Sequence, residues 1–194
     1  ELTTRHQQGY VRECHGDMHL GNTTIINGNV TLFDCIEFNE SFRCIDVLND
    51  FAFLLMDLDD HGLCDLSART RNQYLEQTGD YAGLNLLRFY KAYRAMVRCK
   101  IALFTIAAPG LSQQAMAAET AKYKRYMQLA EYYMNVPARF LMIMHGVSGT
   151  GKSTISTHLL QYLGAIRVRS DVERKRMHGL PALAKSGSSL GSGL

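Results

Sequence analysis

A chain of 194 residues that is 46% hydrophobic has enough apolar material for a sizeable core and length for one to two domains. Its net charge of +3 is mild and spread along the chain, so charge gives no independent case for nucleic acid or an anionic membrane. No apolar run approaches a membrane span and no signal peptide is visible, which makes the cytoplasm the default location. The five cysteines (Cys14, Cys35, Cys44, Cys64, Cys99) are odd in number and show neither C-x-x-C pairs nor metal spacing, which argues against a disulfide framework. Cys14 and Cys35 read most simply as small core residues.

The first informative stretch is His15-Gly16-Asp17, followed by His19 and Asn22 in the pattern H-G-D-x-H-x-x-N. Next come Thr23 to Ile26, the pair Asn27-Gly28, and Val30 to Phe33, ending at Asp34. Asn-Gly between two β-rich runs predicts a two-residue hairpin. The pieces read as a loop carrying Asp17 and Asn22, then a hairpin presenting Asp34. Protein-kinase catalytic loops have the same grammar: an Asp, an Asn five residues on, then an Asp that holds Mg²⁺. In that template Asp17 takes the proton of an acceptor hydroxyl, while Asn22 and Asp34 hold the metal. A lone H-G-D would be an Asp-rich turn before a surface hairpin; three such groups in this order weigh against that.

These residues, His15-Gly-Asp-Met-His-Leu-Gly-Asn22 with Leu32-Phe-Asp-Cys-Ile-Glu-Phe38, resemble the catalytic segment of the aminoglycoside phosphotransferase-like kinases. With a Walker loop following later in the chain, the arrangement is similar to a bacterial group of bifunctional fusions that join such a domain to a C-terminal P-loop kinase domain. The resemblance implies an α+β protein-kinase-like C-lobe, mostly helical with a β-hairpin, over residues 1–137. It implies the start of an α/β P-loop NTPase domain over 138–194. Residues 1–14 contain no glycine-rich loop and no strand lysine of the kind that orders ATP in a kinase N-lobe. The stretch after Ser153 is too short for a full P-loop domain with its Walker B acid. Together with a start at Glu1, this makes the chain read as an internal fragment, inactive alone.

Between the two motifs the chain reads as helices. Ile45, Leu48, Phe51, Ala52, Leu55 and Leu58 recur at helical spacing. Asp46 and Asp50 lie on that segment; in the related phosphotransferases an acid after the metal Asp braces the catalytic loop, a role open to Asp46, as is that of a solvent-facing cap. A break at Asp59-Asp60-His61-Gly62 precedes a second helix, from about Asp65 to Gln77. A third runs from Leu84 to Ala107 and stops at Pro109-Gly110, and a fourth spans Ser112 to Asn135, with Ser112 as N-cap candidate. Tyr123, Tyr126, Tyr132 and Tyr133 on it fit packing better than base stacking. Asn135-Val136-Pro137 reads as a short linker.

The stretch Gly146-Val147-Ser148-Gly149-Thr150-Gly151-Lys152-Ser153 matches G-x-x-x-x-G-K-[ST], with an apolar run (Phe140 to Met144) before it and a helix-compatible run (Thr154 to Leu163) after it. Its glycines let successive N–H groups face phosphate oxygens, Lys152 reaches the β- and γ-phosphates of ATP, and Ser153 sits on Mg²⁺, with Thr154 closing the loop. The alternative, a glycine-rich turn with an incidental lysine, leaves the complete motif and both flanks unexplained.

Downstream, Ala165 to Val168 form a short β-like run ending at Arg169-Ser170-Asp171. Asp171 and Arg174 make a D-x-x-R where open α/β sheets place ligands. This resembles P-loop kinases in which the Asp contacts the acceptor hydroxyl and the Arg holds substrate phosphate; Asp171 could instead cap a helix beginning at Val172. The cluster Arg167, Arg169, Arg174, Lys175, Arg176 fits a phosphate-rich substrate or a solvated face equally. The tail from Lys185 to Leu194 is Gly/Ser-rich. The reading is an ATP- and Mg²⁺-dependent phosphotransferase acting on the hydroxyl of a small molecule. Its rivals are a nucleotide-dependent switch on a non-catalytic kinase-like scaffold and a polynucleotide-end kinase.

Overall fold

The structure, a computed structural model, describes residues 1–135, 138–147, 149–181 and 184. In chain order its elements are α1 (Leu2–Gln7), β1 (Val11–Glu13), a 3₁₀ turn (Leu20–Asn22), β2 (Thr23–Ile26), β3 (Asn29–Leu32), α2 (Glu40–Arg43), β4 (Cys44–Asp46), α3 (Val47–Asp60), α4 (Cys64–Thr78), α5 (Leu84–Ala107), α6 (Gln113–Met134), α7 (Lys152–Leu163) and α8 (Ser170–Met177). The described chain is mostly helical with two small antiparallel ribbons, β1 with β4 and β2 with β3. It packs as two compact units, one of residues 1–63 and 83–139, the other of 64–82 and 140–194.

In the first unit the Asn-Gly pair does what its chemistry suggests. Asn27 and Gly28 both take positive φ, 51° and 76°, the handedness that matches a hairpin's twist, and Thr23 pairs with Leu32 through to Ile26 with Asn29. The core lies where α3, α5 and α6 meet: Phe53 and Met56 against Ala92, Ala95 and Cys99, closed by Tyr126, Ala130 and Tyr133. Small residues on α5 let the helices approach closely. Arg88 near the start of α5 donates to the Tyr132 and Tyr133 carbonyls late in α6, while Cys99 faces Tyr123, so the two helices run antiparallel. Ser112 caps α6 by accepting from the Ala115 N–H. Polar ties seal the bundle: Asp59 accepts from Tyr133 Oη at 2.5 Å and from the Lys91 ammonium, and Arg125 forks onto Asp60.

The helix over 47–60 is where apolar periodicity put it, and Asp46 is its cap but is buried, not solvent-facing. It caps α3 by accepting the Leu48 N–H at 2.9 Å and is buried against Arg5, whose Nε and Nη2 reach it at 2.5 and 2.8 Å, and Tyr90 Oη at 3.0 Å.

In the second unit α4 is fastened to the segment after α7. Asn72 donates to the Ala165 carbonyl at 2.9 Å and accepts the Arg167 N–H at 2.6 Å, and Arg167 pairs with Glu76. Tyr81 donates to Glu173; burial and that bond push its phenol up to about 12. Residues 64–82 thus pack with the P-loop segment although they precede it by a long stretch of chain. The runs 140–144 and 165–168, read as strands, carry no ladder among the described residues. A strand needs a neighbour for its N–H and C=O groups, and the described strands pair only as the two ribbons, β1 with β4 and β2 with β3. The linker residues Val136 and Pro137 and the Gly/Ser tail 185–194 lie outside the described residues.

Burial alone would raise the Asp46 pKa, but Arg5, the Leu48 N–H and Tyr90 outweigh it and hold the carboxyl below the usual range. A carboxyl depressed in the folded state adds stability above its ordinary value, about 4, and loses it as pH falls further. Arg5→Ala should strand the buried carboxylate and cost about 3–5 kcal/mol near neutral pH, with the deficit shrinking as pH drops below about 4. Urea titrations of both proteins at pH 7 and pH 3 measure it; an equal deficit at both would show that the pair is not the source.

Candidate functional site

The loop from His15 to Asn22 is held by α3 at both ends. Asp50 accepts the His15 N–H at 3.0 Å and the Gly16 N–H at 3.1 Å, and Asp57, two turns further on the same face, accepts the Leu20 N–H at 2.8 Å. From α5, Arg94 donates to the Gly16 carbonyl at 3.0 Å and to Asn49. The peptide groups on both sides of Gly16 are thereby tied. Gly16 sits at φ +83°, and a Cβ there would meet the Phe42 carbonyl at 3.0 Å and Ile36 at 3.1 Å, so no other residue fits without displacing backbone. Burial lowers the Arg94 pKa and Asp50 counters it. Cys14, next to the loop, is pushed up to about 11 by burial and then by Asp50, which keeps its thiol protonated.

Asp17 projects from this fixed turn with its side chain 39% exposed. Asn22 donates its amide to the Asp17 carbonyl at 3.0 Å and to Asp17 Oδ2 at 3.1 Å, and His19 Nε2 lies 3.3 Å from the same oxygen. The His19 bond is the chief reason that the Asp17 carboxyl lies below its ordinary value; partial burial opposes it, and Asn22 and the more distant Arg98 assist. Asp17 is thus a partly exposed carboxylate held in place by its two neighbours. Asn22 is buried, and with its amide nitrogen on Asp17 its Oδ1 is left for another partner.

Asp34 is brought to the same end by the hairpin. The Phe33 N–H bonds to the Asn22 carbonyl at 3.0 Å, and His15 Nε2 bonds to the Phe33 carbonyl at 2.8 Å, so the residue before Asp34 is fixed between the two ends of the loop. Asp34 itself is exposed at φ +59°, a left-handed conformation that Asp tolerates better than most side chains. An amide oxygen and a carboxylate are hard oxygen donors of the kind Mg²⁺ takes. The pattern of residue types names Asp17, Asn22 and Asp34; it does not name Asp50, Asp57 or Arg94, which hold the loop. Asp50 carried one usable signal, its place one turn beyond Asp46 on the apolar stripe of α3.

In the second unit the phosphate-loop residues lie together between the extended run and α7. Gly146, Gly149 and Gly151 all take positive φ, 146°, 83° and 83°. Lys152 folds across the loop and donates to the Gly146 and Val147 carbonyls, both at 2.6 Å, and Thr150 Oγ1 donates to the Val147 carbonyl at 2.9 Å. α7 begins at Lys152 with no side-chain cap, so its first N–H groups are not taken up by a capping side chain. Ser153 and Thr154 occupy that first turn and are exposed. Ser148 lies outside the described residues. α8 begins at Ser170, not Val172, so Asp171 is inside the first turn and caps nothing; it pairs with Arg169 at 3.1 Å, and Arg174 is exposed one turn on. The structure thus groups Asp17, Asn22 and the Asp34 segment in the first unit, and the loop 146–154 in the second.

Residues 141–190 match the family model described as an AAA domain, so this part of the chain is P-loop NTPase-like. The chain is 30% identical over 190 residues to uncharacterized proteins of Mycobacterium bovis and of two strains of Mycobacterium tuberculosis, an alignment covering 98% of this chain and 37% of each relative. The chain therefore spans little more than a third of the length of these curated relatives. No solved structure matches it. No helix among the described residues is long and apolar enough to cross a membrane.

Asp50→Ala should leave two backbone N–H groups without their acceptor, at about 1–3 kcal/mol each, and loosen the loop without melting α3. Amide hydrogen exchange at His15 and Gly16 should accelerate strongly while exchange at Phe53 and Met56 changes little. Unaltered exchange at His15 would remove Asp50 from its bracing role.

Proposed function

We propose that the chain belongs to an ATP-dependent phosphotransferase acting on the hydroxyl of a small molecule, with two phosphate-handling centres. Residues 1–137 form a kinase-like C-lobe segment and 138–194 the start of a P-loop kinase domain. The observation that carries the reading is the meeting of Asp17 with Asn22 on a loop whose backbone is tied by Asp50, Asp57 and Arg94, beside the Asp34 turn.

In the first centre Asp17 accepts the proton of the acceptor hydroxyl as its oxygen attacks the terminal phosphorus, and ADP departs with the bridging oxygen. Asn22 Oδ1 and the Asp34 carboxylate would hold Mg²⁺, which neutralises phosphate charge when bound. Fixing Asp17 beforehand is how the loop contributes to rate, since an oriented base avoids reorganisation during the reaction. In the second centre the amides from Gly146 to Thr154, Val147 and Ser148 among them, cradle ATP, and Ser153 would hold its Mg²⁺. Lys152 would exchange its two carbonyl partners for phosphate oxygens, an exchange its flexible stem permits. Asp171 would receive the acceptor's proton and Arg174 would hold substrate phosphate.

A scaffold carrying a nucleotide switch would not require an Asp17 held ionised and partly open to solvent. A polynucleotide-end kinase draws support only from Asp171, Arg174 and nearby basic residues. A competition assay between small hydroxylated acceptors and oligonucleotide ends separates these readings.

Lys152→Ala should remove a charge-assisted contact worth about 1.5–3 kcal/mol, a loss of roughly tenfold to a hundredfold in affinity. Calorimetric titration of the full-length protein with a non-hydrolysable ATP analogue and Mg²⁺ reads this directly, and unchanged affinity would mean that the loop is no phosphate cradle. In the same Lys152→Ala background, Asp17→Asn keeps the shape of the side chain but loses the base. Phosphate transfer should fall on the order of 10²–10⁴-fold; transfer at full rate would rule out Asp17 as the base.

A further inference from the structure

His19 is unusually well fixed for a side chain that the phosphotransferase template does not use. It caps the 3₁₀ turn: the Gly21 N–H donates to His19 Nδ1 at 3.0 Å. A nitrogen that accepts a backbone N–H carries no proton, so a neutral imidazole in this seat has its hydrogen on Nε2. Nε2 is the atom that faces Asp17 Oδ2 at 3.3 Å. The ring lies against Phe53, centroids 5.3 Å apart, and the Arg94 guanidinium lies 4.9 Å from that same Phe53 ring. His19 is therefore held by a backbone donor at one nitrogen, a carboxylate at the other and a buried aromatic ring beside it.

Gly21 supplies an independent observation. Its φ is not in the left-handed region, so no turn geometry demands glycine there. A Cβ at Gly21 would instead meet His19 Cε1 at 2.8 Å and Nδ1 at 2.9 Å. The missing side chain at position 21 makes room for the imidazole and for nothing else.

We propose that His19 is a positioning residue for Asp17: with its tautomer set by the Gly21 N–H, it donates Nε2–H to Oδ2 and thereby turns Oδ1 of Asp17 toward the acceptor hydroxyl. Asn22 donates to the same Oδ2, so two donors occupy one carboxylate oxygen and leave the other for the proton in transit. Rotation of the carboxylate about its Cβ–Cγ bond would give up both contacts at once. The inference rests on the phosphotransferase reading for its consequence, though not for its geometry.

Two substitutions separate the two nitrogens. His19→Gln can present an amide N–H near the position of Nε2 but reaches past Nδ1; His19→Asn keeps an acceptor near Nδ1 for the Gly21 N–H and is too short to reach Asp17. Mg²⁺-dependent ATP turnover with water as acceptor, in the full-length protein with Lys152→Ala, is the readout. His19→Asn should lower kcat by up to about 10²-fold with KM for ATP unchanged, because only the base loses its orientation. His19→Gln should recover most of that loss, and Gly21→Ala, which displaces the ring while leaving His19 in the chain, should behave like His19→Asn. Equal losses in the Gln and Asn variants, or a full rate in His19→Asn, overturn the proposal.

A second measurement does not depend on turnover or on any variant folding. The ¹⁵N shifts of the neutral His19 ring should report the proton on Nε2; a proton on Nδ1 overturns the proposal outright. Should Asp17→Asn retain full turnover, the phosphotransferase reading falls, and the ring tautomer still decides whether His19 donates to Asp17.

Discussion

The candidate site depends on one row of side chains along α3. Asp46, Asp50, Phe53 and Asp57 follow one another at four, three and four residues, which keeps them on a single face. Asp50 takes two consecutive backbone N–H groups of the His15–Asn22 loop and Asp57 takes a third, near the loop's other end. Phe53 between them meets His19. A helix rises about 1.5 Å per residue, so the carboxylates at 50 and 57 stand roughly 10 Å apart along a rigid axis. The loop is stretched over a template whose spacing the helix sets. Its own residues add the Asn22–Asp17 and Gly21–His19 bonds within that frame.

Burying such a row is costly unless each acid has a partner, and the partners come from distant parts of the chain. Asp46 has Arg5 and Tyr90; Asp50 has two amides and the nearby Arg94; Asp59, two residues past the row's end and off its face, has Lys91 and Tyr133. Buried ion pairs are weak sources of net stability, because desolvation offsets most of the attraction. What they offer here is geometry. A carboxylate that must stay where its partners are cannot drift, and neither can the loop amides bonded to it. Apolar residues of the same volume could pack α3 equally well, but they could not hold the Gly16 peptide from both sides.

How much of this was legible in the sequence follows from how far apart the cooperating residues lie. The hairpin was legible because Asn27-Gly28 is a local signal with a local cause, and α5 ran from Leu84 to Ala107 as its periodicity implies. The β1–β4 ribbon was not, since Val11–Glu13 and Cys44–Asp46 are short and their pairing is long-range. The sequence leaves Asp46 open between a brace for the loop and a cap; it caps α3, while the His15 and Gly16 N–H groups bond to Asp50 one turn on, a choice that only the path of the preceding chain decides. Neither was the association of residues 64–82 with the P-loop segment legible. It rests on Asn72, Glu76 and Arg167, polar residues with no periodic signature.

The two centres differ in legibility for a chemical reason. A phosphate loop works through consecutive backbone amides, so its requirements fall on consecutive residues: glycines where φ is positive, one lysine, one hydroxyl, then a helix. Almost the entire device is written in eight positions, Gly146 to Ser153. A carboxylate centre works through side chains that must converge from separate elements. Only the groups proposed to react or hold metal, Asp17, Asn22 and Asp34, fall near one another in sequence. Their orientation comes from α3 and α5, which contribute Asp50, Asp57 and Arg94; apart from the place of Asp50 on the apolar stripe of α3, the sequence does not set these apart from ordinary helix charges. His19 lies between the two cases. It is two residues from Asp17 and so visible in the motif, yet its part is set by which nitrogen the Gly21 amide occupies, and that is fixed only once the chain has folded into the 3₁₀ turn.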